Sequence, residues 1–114
     1  GWLALFSEDA VVQDPVGKSA LDPVGEGHKG KAAIADFFDN VILSAAMDFN
    51  IEKSIPSGDE CANFVTITHN LANGKQLPMD MIVVYTANNE GLITCLKAYW
   101  QFDQLTERMI EAMA

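Results

Sequence analysis

The octapeptide A-V-V-Q-D-P-V-G, residues 10–17, places an aspartate directly after a short apolar run. Val11 and Val12 favour a β-strand. Pro15 biases Asp14 toward extended geometry and has no N–H to donate to a strand ladder, so we expect the strand to end here. Asp14 then lies at the rim of a sheet, where its carboxylate can face a cavity. An ordinary Asp-Pro turn is the alternative interpretation of the same residues.

The length and composition predict one globular domain, residues 1–114, with a single hydrophobic core. Hydrophobic residues make up 49% of the chain, which argues against disorder. The net charge of −9 provides no basic surface for nucleic acid or for an anionic membrane. No apolar run reaches the roughly 20 residues that cross a bilayer. We therefore expect neither nucleic acid nor a membrane as a partner.

Two features concern the cellular location and the start of the chain. Cys61 and Cys95 are far apart and form no C-x-x-C pattern, which predicts reduced thiols in a cytoplasmic protein, with one disulfide as the alternative. The chain begins at Gly1-Trp2-Leu3 without a helix cap, so we interpret this start as the inside of a truncated helix.

Hydrophobic periodicity predicts an α+β protein in which an antiparallel sheet curls over helices. Apolar residues spaced three and four apart predict an amphipathic helix, and Asn73-Gly74 predicts a hairpin turn. The expected helices are the end of one at Trp2–Phe6, then Gly30–Ala46 and Leu105–Met113. The expected strands are Ala10–Asp14, Met47–Ile55, Cys61–Leu71, Lys75–Thr86 and Leu92–Phe102.

Residues alternate between two faces along the strand Cys61–Leu71. We place one set on the inward face, namely Phe64, Thr66, Thr68 and Asn70. The other set is expected on the outer face, namely Val65, Ile67, His69 and Leu71. His69 is therefore expected at the surface or in an interface.

The remaining titratable residues give weaker signals. A second D-P-V-G occurs at Asp22–Gly25, but Asp14 is the better candidate because only Asp14 follows a strand. His28 lies in the glycine-rich loop 18–29 and is expected to be solvated. The two histidines and the scattered carboxylates have no metal-ligand spacing, so we predict no metal site and no cofactor.

Four segments together resemble Δ5-3-ketosteroid isomerases of the nuclear transport factor 2-like (SnoaL-like) superfamily. They are A-V-V-Q-D-P-V-G at 10–17, G-K-A-A-I-A-D-F-F at 30–38, N-G-K-Q-L-P-M-D-M-I-V-V-Y at 73–85 and L-K-A-Y-W at 96–100. The resemblance implies a cone-shaped, curved antiparallel sheet wrapped around helices, also described as a cystatin-like roll. It also implies an apolar pocket inside the cone and a first helix of which the start is missing here.

The resemblance assigns a catalytic role to Asp14. In these isomerases the aspartate of D-P-V-G is the general base, and a tyrosine and a protonated aspartic acid form the oxyanion hole. The tyrosine belongs to the first helix, so no residue here corresponds to it. The aspartic acid corresponds to Val83, which cannot donate a hydrogen bond. Asp80 lies three residues earlier, on the opposite face of the strand unless a bulge shifts the register.

The resemblance and the strand alternation also predict the residues that contact a ligand. Two methionines would form an adaptable apolar wall, and Trp100 offers a flat ring and an indole N–H. A purely structural role in the core is the alternative for these side chains. The predicted lining consists of Phe37, Phe64, Thr66, Thr68, Met79, Met81, Val83, Leu96, Ala98 and Trp100.

Three functions remain open from the sequence. The first is a steroid Δ-isomerase-like enzyme that moves a double bond of a 3-oxo-Δ5 steroid or similar enone, with Asp14 as the proton shuttle. The second is a domain of the same fold that binds an apolar, steroid-like small molecule with little or no catalysis. The third is another pocket enzyme of the superfamily, of the polyketide cyclase or epoxide hydrolase type. An outer sheet face with Val65, Ile67, Leu71 and Tyr99 predicts a homodimer.

Overall fold

A computed structural model describes residues 2–42 and 47–113 of the chain. Its main feature is a curved six-stranded sheet with the strand order β2-β1-β6-β5-β4-β3. The strands are β1 Phe6–Gln13, β2 His28–Lys29, β3 Met47–Ser57, β4 Glu60–Asn70, β5 Gln76–Ala87 and β6 Ile93–Tyr99. The helical elements are a 3₁₀ turn at Trp2–Leu5, α1 at Lys31–Phe37, a π-helical turn at Phe38–Ile42 and α2 at Phe102–Met113. The predicted α+β class is confirmed.

The strand pairs of the described sheet are antiparallel except for β1 and β6, which run parallel. The sequence predicted an antiparallel sheet, and this one parallel pair among the described strands departs from that description. Parallel neighbours need a long crossover connection, and here α1 and the strands β3, β4 and β5 lie between β1 and β6 in sequence. The parallel pairing brings the ends of these two strands to the same edge of the sheet.

The strands β3, β4, β5 and β6 form a meander with turns of the expected composition. Asn73 and Gly74 lie in the connection between β4 and β5, where the Asn73 side chain accepts the Lys75 N–H at 3.0 Å. Gly74 has φ 85°, a backbone conformation that glycine adopts without steric cost. The hairpin predicted from Asn73-Gly74 is confirmed, although its connection spans residues 71–75 and not two residues.

The helices differ in length from the sequence prediction. The predicted helix Gly30–Ala46 is α1 followed by the π-helical turn, and residues 43–46 of the prediction lie outside the described residues. Its apolar side is confirmed, because Ile34 and Phe37 are buried. The first segment is a 3₁₀ turn instead of an α-helix end, and α2 begins at Phe102, where a strand was expected to end. Within the described residues, no helix is long and apolar enough to span a membrane.

The faces predicted for β4 are reversed in the structure. Val65, Ile67 and His69 are buried and pair with Met81, Met79 and Leu77 of β5. Their neighbours on β4 lie on the outer face, namely Phe64, Thr66, Thr68 and Asn70. Alternation sets which residues share a face but not which face is inside. The observed choice keeps two threonines and an asparagine out of the core, where each would need a hydrogen-bond partner.

The hydrophobic core lies between the inner face of the sheet and the helical elements. Phe6, Val12 and Ile34 are its most completely buried large side chains, and they join β1 to α1. Leu105 brings α2 into the same cluster. The core therefore holds β1 and β6 in place, and the candidate site lies where these two strands end.

Candidate functional site

Asp14 lies directly after the last residue of β1, as the sequence predicts. The indole N–H of Trp100 donates to Asp14 Oδ1 at 2.6 Å. Gln13 pairs with Lys97 of β6, and the Val16 N–H donates to the Ala98 carbonyl at 2.9 Å. The parallel pairing of β1 with β6 therefore places Trp100 against the Asp14 carboxylate. This contact joins residues 86 positions apart in sequence.

Burial raises the pKa of the Asp14 carboxyl above its ordinary value of 3.8. Two smaller effects act in the opposite direction, namely the hydrogen bond from Trp100 and the charge of His28. Desolvation disfavours the carboxylate, while a donor and a nearby cation favour it. The net result is a carboxylate that accepts a proton more readily than a solvated aspartate does, which is the property of a general base.

His28 is close to Asp14 and is not the solvated loop residue that the sequence predicted. It belongs to β2 and pairs with Val12, and its ring stacks on Phe37 with centroids 4.2 Å apart. Its Nε2 is buried and has no hydrogen-bond partner among the described residues. The short strand β2 could not be recognised within a glycine-rich loop, because it forms by pairing with β1, which is distant in sequence.

Asp22 of the second D-P-V-G has a structural role. Its side chain is 8% exposed, and its two carboxylate oxygens accept the N–H groups of Gly25 at 3.2 Å and Gly27 at 2.8 Å. These bonds close the loop between β1 and β2. Both carboxylate oxygens of Asp22 are therefore engaged in holding this loop.

The register of the sheet places Val83 beside Ala98, and the Ala98 carbonyl accepts the Val16 N–H two residues after Asp14. Val83 is 7% exposed and lies on the inner face. Asp80 lies on the outer face, where it accepts a hydrogen bond from the Thr66 hydroxyl at 3.1 Å. The pairing of β4 with β5 has no register break, so no bulge turns Asp80 inward.

The predicted lining residues divide into two groups. One group lies on the inner face of the sheet or in the core, namely Phe37, Met79, Met81, Val83, Leu96, Ala98 and the partly buried Trp100. The other group lies on the outer face of β4, namely Phe64, Thr66 and Thr68. Phe64 is 40% exposed there. The inward placement of these last three residues was wrong, because β4 has the opposite phase to the one expected.

Tyr85 is a residue that the sequence interpretation missed. It is partly buried and lies on the inner face of β5, two residues after Val83. Burial raises the pKa of its phenol, and electrostatic interactions with Cys61 and Asp14 raise it further. The alternation Met81, Val83, Tyr85 was a signal that could have identified it.

His69 is a second correction on the inner face. It is 8% exposed, pairs with Leu77, and its Nε2 has no hydrogen-bond partner among the described residues. Burial lowers the pKa of this imidazole below its ordinary value of 6.5. The side chain is therefore neutral in the folded protein at physiological pH, and it is not at the surface as expected.

Two open cavities border these elements. The larger has a volume of about 540 Å³ and lies between the β3–β4 and β5–β6 turns; it is lined by Gly58, Asp59, Glu60, Cys61, Tyr85, Ala87, Asn88 and Asn89. The smaller has a volume of about 240 Å³ and lies beside the Trp100 ring; it is lined by Pro15, Val16, Lys18, Ser19, Trp100, Gln101, Phe102 and Asp103. Of the predicted lining residues, only Trp100 borders either one.

The arrangement of the described titratable side chains bears on metal binding. In the parts of the chain that the structure describes, no group of three or more His, Cys, Asp or Glu residues is arranged to hold an ion. Asp14 has only Trp100 as a hydrogen-bond partner there. The arrangement is suited to proton transfer in a desolvated environment.

Comparison with known proteins identifies the family. Residues 1–96 match the model of the SnoaL-like domain. With its curved sheet, the protein is an α+β domain of the nuclear transport factor 2-like class, and the chain belongs to the SnoaL-like domain family. A search of the curated proteins gives no match.

Three solved structures show how far the similarity extends. Rv0760c from Mycobacterium tuberculosis, in complex with estradiol-17β-hemisuccinate, is 36% identical over 90% of this chain and 80% of that chain, with a TM-score of 0.80. The Δ5-3-ketosteroid isomerase from Mycobacterium sp. is also 36% identical, over 90% and 79%, with a TM-score of 0.78. SalBIII, an epoxide hydrolase/cyclase-like enzyme of pyran ring formation in salinomycin, is 21% identical over 89% and 76%, with a TM-score of 0.72. This last similarity concerns the fold alone.

Proposed function

We propose that the protein is a steroid Δ-isomerase-like enzyme that moves the double bond of a 3-oxo-Δ5 steroid or a similar enone. The observation that carries the proposal is the position of Asp14, a desolvated carboxylate at a strand end that Trp100 holds at 2.6 Å. The 36% identity to a Δ5-3-ketosteroid isomerase supports the same assignment.

Asp14 shuttles one proton in this reaction. Its carboxylate takes a proton from the carbon between the ketone and the double bond, and the electron pair of that C–H bond moves toward the ketone oxygen to form a dienolate. The protonated Asp14 then returns the proton to the far carbon of the former double bond, and the ketone re-forms. A positioned base of this kind contributes roughly 10²–10⁴-fold to the rate. The raised pKa of Asp14 strengthens it as a proton acceptor.

The proposed ligand is an apolar small molecule of the steroid class. The complex of Rv0760c with an estradiol derivative supports this class. The buried face beside Asp14 is apolar, with Met81, Val83 and Ala98 on neighbouring strands. Apolar surface of this kind gains free energy by covering a flat hydrocarbon skeleton.

A binding domain with little or no catalysis is the second candidate. Val83 favours it, because a valine on the inner face cannot donate a hydrogen bond to a developing enolate. Removing one oxyanion donor costs about 10²–10³-fold in turnover. A third candidate, an enzyme of the polyketide cyclase or epoxide hydrolase type, has only the fold similarity to SalBIII in its favour.

The test is an isomerase assay with 5-androstene-3,17-dione. We expect slow turnover by the wild-type protein and a loss of about 10²–10⁴-fold in Asp14→Asn, with steroid binding nearly unchanged. Asp80→Asn is the matched control, because Asp80 lies on the outer face. Turnover that survives in Asp14→Asn would assign the chemistry to another group. Steroid binding without turnover in any variant would favour the binding domain.

We also propose that the protein is a homodimer through the outer face of the sheet, the face predicted by sequence, but with a different set of apolar residues on it. Phe64, Ile82 and Tyr99 pair across the outer face of the sheet and are 40%, 40% and 46% exposed. Val65 and Ile67, which the sequence placed there, belong to the core. Light scattering is expected to give twice the monomer mass, and Ile82→Asp is expected to give a monomer. A wild-type monomer at high micromolar concentration would contradict the proposal.

Residues 1–114 are proposed to act as one domain in the cytoplasm. Cys61 and Cys95 are both free thiols in the structure, which agrees with a reducing compartment. Fractionation of the native host, followed by detection of the protein, would test the location. Recovery from an oxidising compartment would contradict it.

A further inference from the structure

The reaction proposed above needs a hydrogen-bond donor for the ketone oxygen, and Val83 does not provide one. Side chains on one face of a strand recur every second residue, so the next inward position of β5 after Val83 is Tyr85. Its phenol is a hydrogen-bond donor of the kind that stabilises an enolate oxygen. Tyr85 is therefore the next inward side chain of β5 after Val83, and unlike Val83 it can donate a hydrogen bond.

The register places Tyr85 near the end of β1. Tyr85 pairs with Leu96, and Leu96 pairs with Val12. Tyr85 is thus in the same row across the sheet as Val12, which precedes Asp14 by two residues. Only β6 separates β5 from β1, so the two backbones lie about 10 Å apart. The negative charge of Asp14 acts on the phenol of Tyr85 across this gap.

The neighbouring polar side chains on β4 are already engaged. Asn63 donates its amide N–H groups to the carbonyl oxygens of Val83 at 3.2 Å and Cys61 at 3.4 Å. The Cys61 thiol lies 3.8 Å from Asn63 Oδ1. In contrast, the Tyr85 hydroxyl makes no hydrogen bond within the described residues. Unlike the side chains of Asn63 and Cys61, the Tyr85 hydroxyl therefore has a donor that is available to a ligand.

The space beside Tyr85 is also open. Tyr85 forms part of the wall of the 540 Å³ cavity between the β3–β4 and β5–β6 turns. Partly buried hydroxyl groups are normally satisfied by a protein group, a water molecule or a ligand. The hydroxyl-bearing side chain of Tyr85 therefore borders open space that a ligand can occupy.

We propose that Tyr85 donates its O–H hydrogen bond to the ketone oxygen of the substrate as that oxygen becomes an enolate. The inference rests on the proposed isomerase function. The C–H bond breaks toward Asp14, its electron pair forms the new carbon–carbon double bond of the dienolate, and the ketone π pair moves to the oxygen. Tyr85 keeps its own proton throughout, and its hydrogen bond shortens as negative charge develops. The raised pKa of the phenol keeps it protonated at neutral pH.

The test compares the two tyrosines of the chain. Tyr85→Phe removes the hydroxyl and keeps the ring, and we expect kcat to fall by about 10²–10³-fold with little change in KM. Tyr99→Phe is the matched control, since Tyr99 is 46% exposed on the outer face, and its kcat is expected to stay within twofold. Wild-type turnover together with an unchanged kcat in Tyr85→Phe would overturn the role of Tyr85 and leave the isomerase proposal standing.

A binding assay separates the two proposals further. Estradiol carries a phenol oxygen where the enolate oxygen would lie, and its 3-deoxy analogue lacks that oxygen. We expect the wild type and Tyr99→Phe to prefer estradiol by tenfold or more, and Tyr85→Phe to lose the preference. Such a preference without turnover would overturn the isomerase function and keep Tyr85 as the donor. An equal preference in all three proteins would overturn the donor role, and a wild type that neither binds nor turns over steroids would overturn both.

Discussion

The hydrogen bond between Trp100 and Asp14 makes a quantitative prediction. The indole N–H lies 2.6 Å from a carboxylate oxygen, and hydrogen bonds to charged groups contribute about 1.5–3 kcal/mol to stability. Trp100→Phe removes the donor but also removes ring volume from the contact with Phe102. A double-mutant cycle with Asp14→Ala isolates the pairwise contribution from this packing loss.

We expect a coupling free energy of about 1.5–3 kcal/mol between Trp100 and Asp14 at pH 7. The coupling should decrease at low pH, because the pKa of Asp14 is raised above 3.8 and the carboxyl is therefore more than half protonated at pH 3.8. A bond to the neutral acid contributes only about 0.5–1.5 kcal/mol. The pH dependence thus distinguishes a hydrogen bond to the carboxylate from simple packing.

The measurement is urea denaturation of the four proteins, followed by circular dichroism at pH 7 and pH 3.8. Circular dichroism is preferable to fluorescence because Trp2 also emits. A coupling below about 0.5 kcal/mol at pH 7, or one that is equal at both pH values, would contradict a hydrogen bond from Trp100 to the Asp14 carboxylate. In the same variant series, loss of the indole donor should raise the pKa of Asp14 further and move the pH–rate profile to higher pH.

Three further predictions follow from burial of titratable groups. Because the pKa of Asp14 is raised in the folded state, the native protein binds more protons than the unfolded chain just above pH 3.8. The free energy of unfolding therefore falls as the pH rises through this window. Asp14→Asn should unfold at a higher temperature than the wild type at pH 7, and an equal or lower melting temperature would contradict this. Because the pKa of His69 is lowered from 6.5, the unfolded chain binds more protons than the folded protein below pH 6.5. The free energy of unfolding should therefore decrease as the pH is lowered from 6.5 to 5. His69→Leu should make this decrease smaller, whereas an unchanged slope would assign the decrease to another group. The charge of Asp14 raises the pKa of Tyr85, so Asp14→Asn should lower the midpoint of the phenolate absorbance titration of Tyr85. Tyr85→Phe identifies which part of the absorbance signal belongs to Tyr85. An unchanged midpoint would mean that Asp14 and Tyr85 are not neighbours.

The position of Asp14 could be predicted from local sequence because its cause is local. Proline after the aspartate removes a ladder donor and restricts the preceding residue, so the strand ends at Gln13 whatever surrounds it. The inner face of β5 could also be predicted, since Met79, Met81 and Val83 follow an alternation anchored by Asp80. The turn at Asn73-Gly74 belongs to the same class of local features.

The phase of β4 depended on its partner strand. Residues 64–68 contain apolar and β-branched side chains on both faces, so alternation alone permits either orientation. Pairing of Val65 with Met81 resolves the choice, because it continues the inner face of β5. His69 is buried as a consequence of this pairing, although an isolated histidine near a strand end resembles a surface residue.

The contacts of Asp14 are decided by tertiary structure. Trp100 reaches the carboxylate because β1 and β6 run parallel and end at the same edge, and this pairing joins segments on opposite sides of the meander. His28 lies nearby because β2 pairs with β1, and Tyr85 faces the same region through the register of β5 with β6. Local sequence was enough to predict where β1 ends and that Asp14 follows it, since backbone geometry at Asp-Pro is a local property. The partners of Asp14 were decided by long-range strand pairing, because hydrogen-bond register between distant strands leaves no periodic signal in the chain.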